Sequence, residues 1–90
     1  MTFKEAVLQW NSEETHPHRP KAVQQFIERA DANPRMWHIA EHLFLAKYEH
    51  MTGTVVTGTP DWGKILNWIR ANGPVLLKIL MSVLSIIALL

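Results

Sequence analysis

The sequence contains no cysteine, no run of like charges and no apolar stretch at its start, and each absence removes a class of protein. Without thiols there is no disulfide framework to support a small core. The opening Met1-Thr2-Phe3-Lys4-Glu5 is amphipathic and lacks the apolar run of a secretory signal, which predicts that the N-terminal part stays where it is made. Nine Lys and Arg oppose eight Asp and Glu, and neither half of the chain carries the basic stripe that nucleic-acid binding needs. A Gly-rich phosphate loop and a serine in a nucleophile-elbow setting are also missing, so no enzyme, cofactor or small-molecule substrate is expected.

What is present is unevenly distributed. Hydrophobic residues make up 48% of the 90, but that average joins a polar first half to a very apolar end. Residues 1–51 predict a small all-α bundle of about three short helices. Thr2 and Glu5 have the spacing of a capping box, and Phe3, Ala6, Val7 and Trp10 recur at helical intervals, predicting a helix over about 3–12. Residues 11–19 lack periodicity and contain Pro17, predicting a loop, after which Pro20 suits the first turn of a second helix bearing Val23, Phe26, Ile27 and Ala30 on one stripe. Asn33-Pro34 signals the start of a third helix, with Met36, Trp37, Ala40, Leu43, Phe44, Tyr48 and Met51 on its apolar side. The expected core is aromatic: Phe3, Trp10, Phe26, Trp37 and Phe44.

Residues 52–59, Thr/Gly-rich and uncharged, predict a flexible linker, and Thr59-Pro60-Asp61 then repeats the start signals of a helix. Residues 60–72 form an amphipathic segment in which Trp62, Lys64, Trp68 and Arg70 have the composition of a membrane-interface belt. From 73 to 90 the chain is apolar except for Lys78, Ser82 and Ser85, predicting a long hydrophobic helix kinked at Gly73-Pro74. From Pro74 to Leu90 such a helix reaches only ~25 Å against a hydrocarbon thickness of ~30 Å, so a bilayer span must recruit the Trp68 turn, for ~34 Å. The insertion energy is thin, since eleven Leu, Ile and Val at roughly −0.3 to −0.6 kcal/mol each oppose a Lys78 that costs up to about 3 kcal/mol. Lys78, Ser82 and Ser85 step by three or four residues and line one face, which suits helix packing. The basic residues before the apolar segment place the N-terminal side in the cytoplasm, as in a tail anchor.

One short pattern carries chemistry: His38-Ile39-Ala40-Glu41-His42 has the His-x-x-Glu-His spacing in which two histidines hold zinc and the glutamate activates water. It matches as a pattern only, since such a site needs a third ligand and a substrate cleft. His16 and His18 are the nearest further histidines, and a cluster of these side chains would bring pH sensitivity between 5 and 7. The expectation is therefore a non-enzymatic structural or adaptor protein whose C-terminal helix anchors it in a lipid bilayer or among other protein subunits, as a homo- or hetero-oligomer. A minor bacteriophage virion component or a small accessory subunit of a membrane complex fits that description. The alternatives are a holin-like membrane-permeabilising oligomer built on the Lys78, Ser82, Ser85 face, and a small zinc hydrolase using His38, Glu41 and His42.

Overall fold

A computed structural model describes residues 1–13 and 21–88; the predicted loop with His16, Pro17 and His18, and Pro20, lie outside the described residues. Among the described residues there are five helices and no strands: α1 Phe3–Ser12, α2 Lys21–Ala32, α3 Arg35–Thr52, α4 Trp62–Ala71 and α5 Gly73–Ala88. The all-helical reading of the sequence holds at that level. Local signals explain most of the boundaries. At α1 the Glu5 N–H donates to Thr2 Oγ1 at 3.1 Å and the Thr2 N–H donates to Glu5 Oε1 at 3.0 Å, a closed capping box. At α3 the start is one residue later than Asn33-Pro34 suggests. Pro34 is already in the right-handed helical region with φ −57° and ψ −21°, and Asn33 contributes its backbone carbonyl, which accepts from the Met36 N–H at 3.0 Å. The end of α3 is set by Gly53, whose φ of 70° is the left-handed cap that a side chain disfavours.

The long kinked helix expected at the C-terminus is instead two helices bent by 100°. Asn72 makes the break: its Nδ2 donates to the Trp68 carbonyl at 2.9 Å, closing α4, and its own carbonyl accepts from the Val75 N–H at 3.0 Å, opening α5. Pro74 has no N–H to continue the ladder. Gly73 is needed for another reason, because a Cβ there would lie 3.2 Å from Trp10 Cζ2.

The bend lays α5 back across the molecule. It runs antiparallel to α3, so that Val75 lies beside Met51 and Ile87 beside Ile39, and it also packs on α2 while α4 packs on α1. One hydrophobic core draws on all five helices, including Leu76, Leu80 and Val83 of α5, each fully buried. Residues 53–61 join α3 to α4 as a loop that is tied down at Val56: its N–H donates to Glu49 Oε2 at 2.8 Å and its side chain packs against the core, while Val55 is exposed.

The aromatic cluster is larger than the sequence suggested. Phe3, Trp10, Phe26 and Phe44 are buried and Trp37 is half-buried. Trp62 joins them, with its ring centroid 5.3 Å from that of Phe3 and 6.2 Å from that of Phe44. No buried polar or charged side chain interrupts this core among the described residues.

Candidate functional site

The surface features that remain after folding gather on the seam between α3 and α5. On α3 the row Met36, Ala40, Phe44 and Tyr48 points into the core. The adjacent row Ile39, Leu43, Lys47 and Met51 does not, and Ile39, Leu43 and Met51 stay 38%, 42% and 48% exposed. The reason is geometric: residues four apart form a ridge, and an apolar arc wider than one ridge leaves its second row outside a core that the first row already fills. On α5 the inward row Leu76, Leu80 and Val83 is likewise flanked by Val75 and Ile79, both half-buried, and by the exposed Ile86.

Between these two flanks lies a groove of ≈ 550 Å³ lined by Leu43, Lys47, Met51, Pro74, Val75, Lys78, Ile79 and Ser82. Its lining is mostly apolar, and the charges in it are Lys47 of α3 and Lys78 of α5. A second recess, at the other end of the same seam, is bounded by Pro34, Arg35, His38, Ile39 and Ile87.

The stripe Lys78, Ser82 and Ser85 is found on the outward side of α5, where all three are exposed. Each serine turns back on its own helix: Ser82 Oγ donates to the Lys78 carbonyl at 2.8 Å and Ser85 Oγ to the Met81 carbonyl at 3.1 Å. The polar atoms are thereby satisfied within α5, leaving a low surface that a neighbouring helix can approach closely.

The residues expected at a membrane interface take different places. Trp62 is only 4% exposed, inside the aromatic cluster. Trp68 is half-buried, its ring edge-on to Tyr48 at 5.1 Å. Lys64 is exposed. Arg70 grips Glu13 at the end of α1, with Nε donating to Oε1 at 2.9 Å and Nη2 2.8 Å from Oε1, and that carboxylate holds the guanidinium pKa above its ordinary value. Its Nη1 also donates to Asn67 Oδ1 at 2.6 Å. Arg70 therefore ties α4 to α1.

The His38 and His42 rings stand edge-to-face at 4.9 Å between centroids, on the solvent side of α3, whereas Glu41 is half-buried. Among the described residues no group of three or more His, Cys, Asp or Glu is placed to hold a metal ion. No single helix among them is long and apolar enough to cross a membrane, and the bent pair α4 and α5 passes that test only when taken together.

Sequence reasoning did not single out Ile39, Leu43 and Met51 as surface residues. The available signal was the width of the apolar arc on α3, which exceeds what a single core-facing row requires. Compared with known proteins, no family model, no curated protein and no solved structure matches this chain.

Proposed function

We propose that the chain is a non-enzymatic structural or adaptor protein, a five-helix module that is held in a multi-subunit assembly through the face formed by α3 and α5. One observation carries the reading: Leu43 and Met51 are 42% and 48% exposed beside Val75 and Ile79 in a single apolar groove. Isolated surface leucines are ordinary, but apolar side chains gathered along one seam mark an interaction surface. The low outer face of α5 at Ser82 and Ser85 extends the same surface. A minor bacteriophage virion component or a small accessory subunit of a membrane complex is the kind of protein that needs such a face, by analogy of type.

The test is site-specific photocross-linking in the cell that makes the protein, with the reactive group placed at Leu43, at Met81 or, as a control, at the exposed Gln25 of α2. The reading expects one discrete protein adduct from Leu43 and Met81 and none from Gln25. Lipid adducts alone, or equal adducts from all three positions, would refute it.

A second reading, a membrane anchor, is favoured by the bent pair: α4 and α5 would form one apolar span if the bend at Asn72 straightened. Flotation with liposomes decides it, because a full-length chain that stays at the bottom of the gradient has no such anchor.

A further inference from the structure

The lining of the α3–α5 groove carries charge of one sign. Lys47 stands on α3, in one row with Leu43 and Met51, and Lys78 on α5 beside Val75 and Ile79; both are exposed, and the lining holds no carboxylate. The two lysines have no ion-pair partner among the described residues. The acidic residues of α3, Glu41 and Glu49, are half-buried away from this seam, and Glu49 is engaged by the Val56 N–H.

This charge pattern discriminates among occupants. A second copy paired face to face across a two-fold axis would set lysines against lysines, a like-charge contact that costs affinity. A lipid surface would meet the outer side of α5, where the exposed Met81 and the half-buried Leu77 lie among Pro74, Lys78, Ser82 and Ser85. The tryptophans that seat a protein at such a surface are turned inward, Trp10 and Trp62 being buried and Trp37 and Trp68 half-buried. A mostly apolar groove with one exposed lysine on each of its two helices and no carboxylate instead matches a helix that presents an apolar stripe flanked by Asp or Glu. From Leu43 to Met51 the groove follows α3 for ~12 Å, room for two helical turns of the occupant. Met51 adds an unbranched, adaptable side chain to the lining.

We propose that this groove receives an acidic amphipathic helix belonging to a different protein chain. The proposal rests on the reading of this face as a docking surface and specifies the chemistry of what docks.

A display library of 18-residue amphipathic helices, with apolar positions fixed and flanking positions varied among Glu, Lys and Gln, is selected on the immobilised full-length protein. The enriched helices are expected to carry acidic flanks on both sides. They should bind about tenfold more weakly to the doubly charge-reversed Lys47→Glu, Lys78→Glu protein, as two exposed ion pairs imply. The same protein should prefer Lys-flanked helices. Unchanged circular dichroism and an unchanged urea midpoint establish that this variant is folded, and Leu43→Asp should abolish binding to either set. Absence of enrichment, enrichment without acidic bias, or indifference to the charge reversal would each overturn the proposal. So would binding to phosphatidylglycerol vesicles that is lost on charge reversal while no helix is enriched. Protein adducts from Leu43 in cells combined with basic or neutral selected helices would leave the docking surface standing and remove only this partner.

Discussion

Asp31 joins three elements at one corner of the molecule. Its Oδ1 accepts from Trp37 Nε1 at 3.2 Å and lies 2.9 Å from Lys4 Nζ, while the Lys4 ammonium sits 5.6 Å from the centroid of the Trp37 ring. The hydrogen bond from Lys4, then that from Trp37, holds the carboxyl below its ordinary value of 3.8. The sign follows from that direction: a carboxyl whose pKa is lower folded than unfolded stabilises the fold above the ordinary value and loses that contribution as pH falls through the folded value. In urea titrations at pH 5 and at successively lower pH, the native chain should therefore lose midpoint more steeply below 3.8 than Asp31→Asn does. The pair is exposed and screened, so the difference will be small. Parallel curves would remove the Asp31 contribution. Gly73 is the other telling residue. Adding a Cβ 3.2 Å from Trp10 Cζ2 crowds a ring that is 3% exposed and cannot swing into solvent. Gly73→Val should lower stability by about 1–3 kcal/mol through overpacking, measured by urea denaturation. The capping box of Thr2 and Glu5 was legible because both its residues and their spacing are local. The role of Gly73 was not, because it depends on a tryptophan 63 positions away in the chain.

At the scale of elements, α5 joins two faces that the sequence presents as one apolar run. Its inner face supplies Leu76, Leu80 and Val83, each fully buried, and its outer face supplies Lys78, Ser82 and Ser85. Leu80→Ala should cost about 2–5 kcal/mol, the range for emptying a packed core site. Ser82→Ala should lie within about ±0.5 kcal/mol, as an exposed change does. Equal effects would mean that α5 is not packed as described, and chemical denaturation of the two variants decides the matter. The polar residues of α5 were read from the sequence as a packing stripe. That stripe marks the outward direction of an amphipathic helix whose inward direction was hidden by the apolar residues filling its flanks. The starts of α3 and α4 were legible near Pro34 and Pro60, whereas Pro74 was read as a kink in one long helix and not as the start of a separate one. The bend of 100° at Asn72 was only half legible. The sequence shows that the ladder breaks at Pro74, whereas the direction of the next helix is chosen by the core it must cover. Trp62 illustrates the same limit, because a tryptophan near Lys64 and Arg70 has the same local sequence whether it faces lipid or Phe3.

For the whole molecule, the question is whether α5 is a detachable arm or part of the fold. Burying a large aliphatic side chain is worth roughly 1.5–3 kcal/mol, so withdrawing Leu76, Leu80 and Val83 forfeits roughly 5–9 kcal/mol. Small domains have about 5–15 kcal/mol in total. With one core shared by all five helices and no disulfide to hold the remainder together, losing α5 is nearly equivalent to losing the fold. A membrane span made from α4 and α5 would therefore have to form by global unfolding, whereas a protein partner can use the groove without disturbing the core. Native-state hydrogen exchange separates these cases. The amides from Leu80 to Val83 should open with the same free energy as those around Phe44, and both should fall in parallel with global stability as denaturant is added. If the α5 amides instead open several kcal/mol below those of Phe44, α5 is a separately unfolding arm. The bent pair would then regain its standing as a span that straightens on meeting a bilayer. Coincident opening leaves the exposed row Ile39, Leu43 and Met51 as the surface open to the partner proposed for this small bundle.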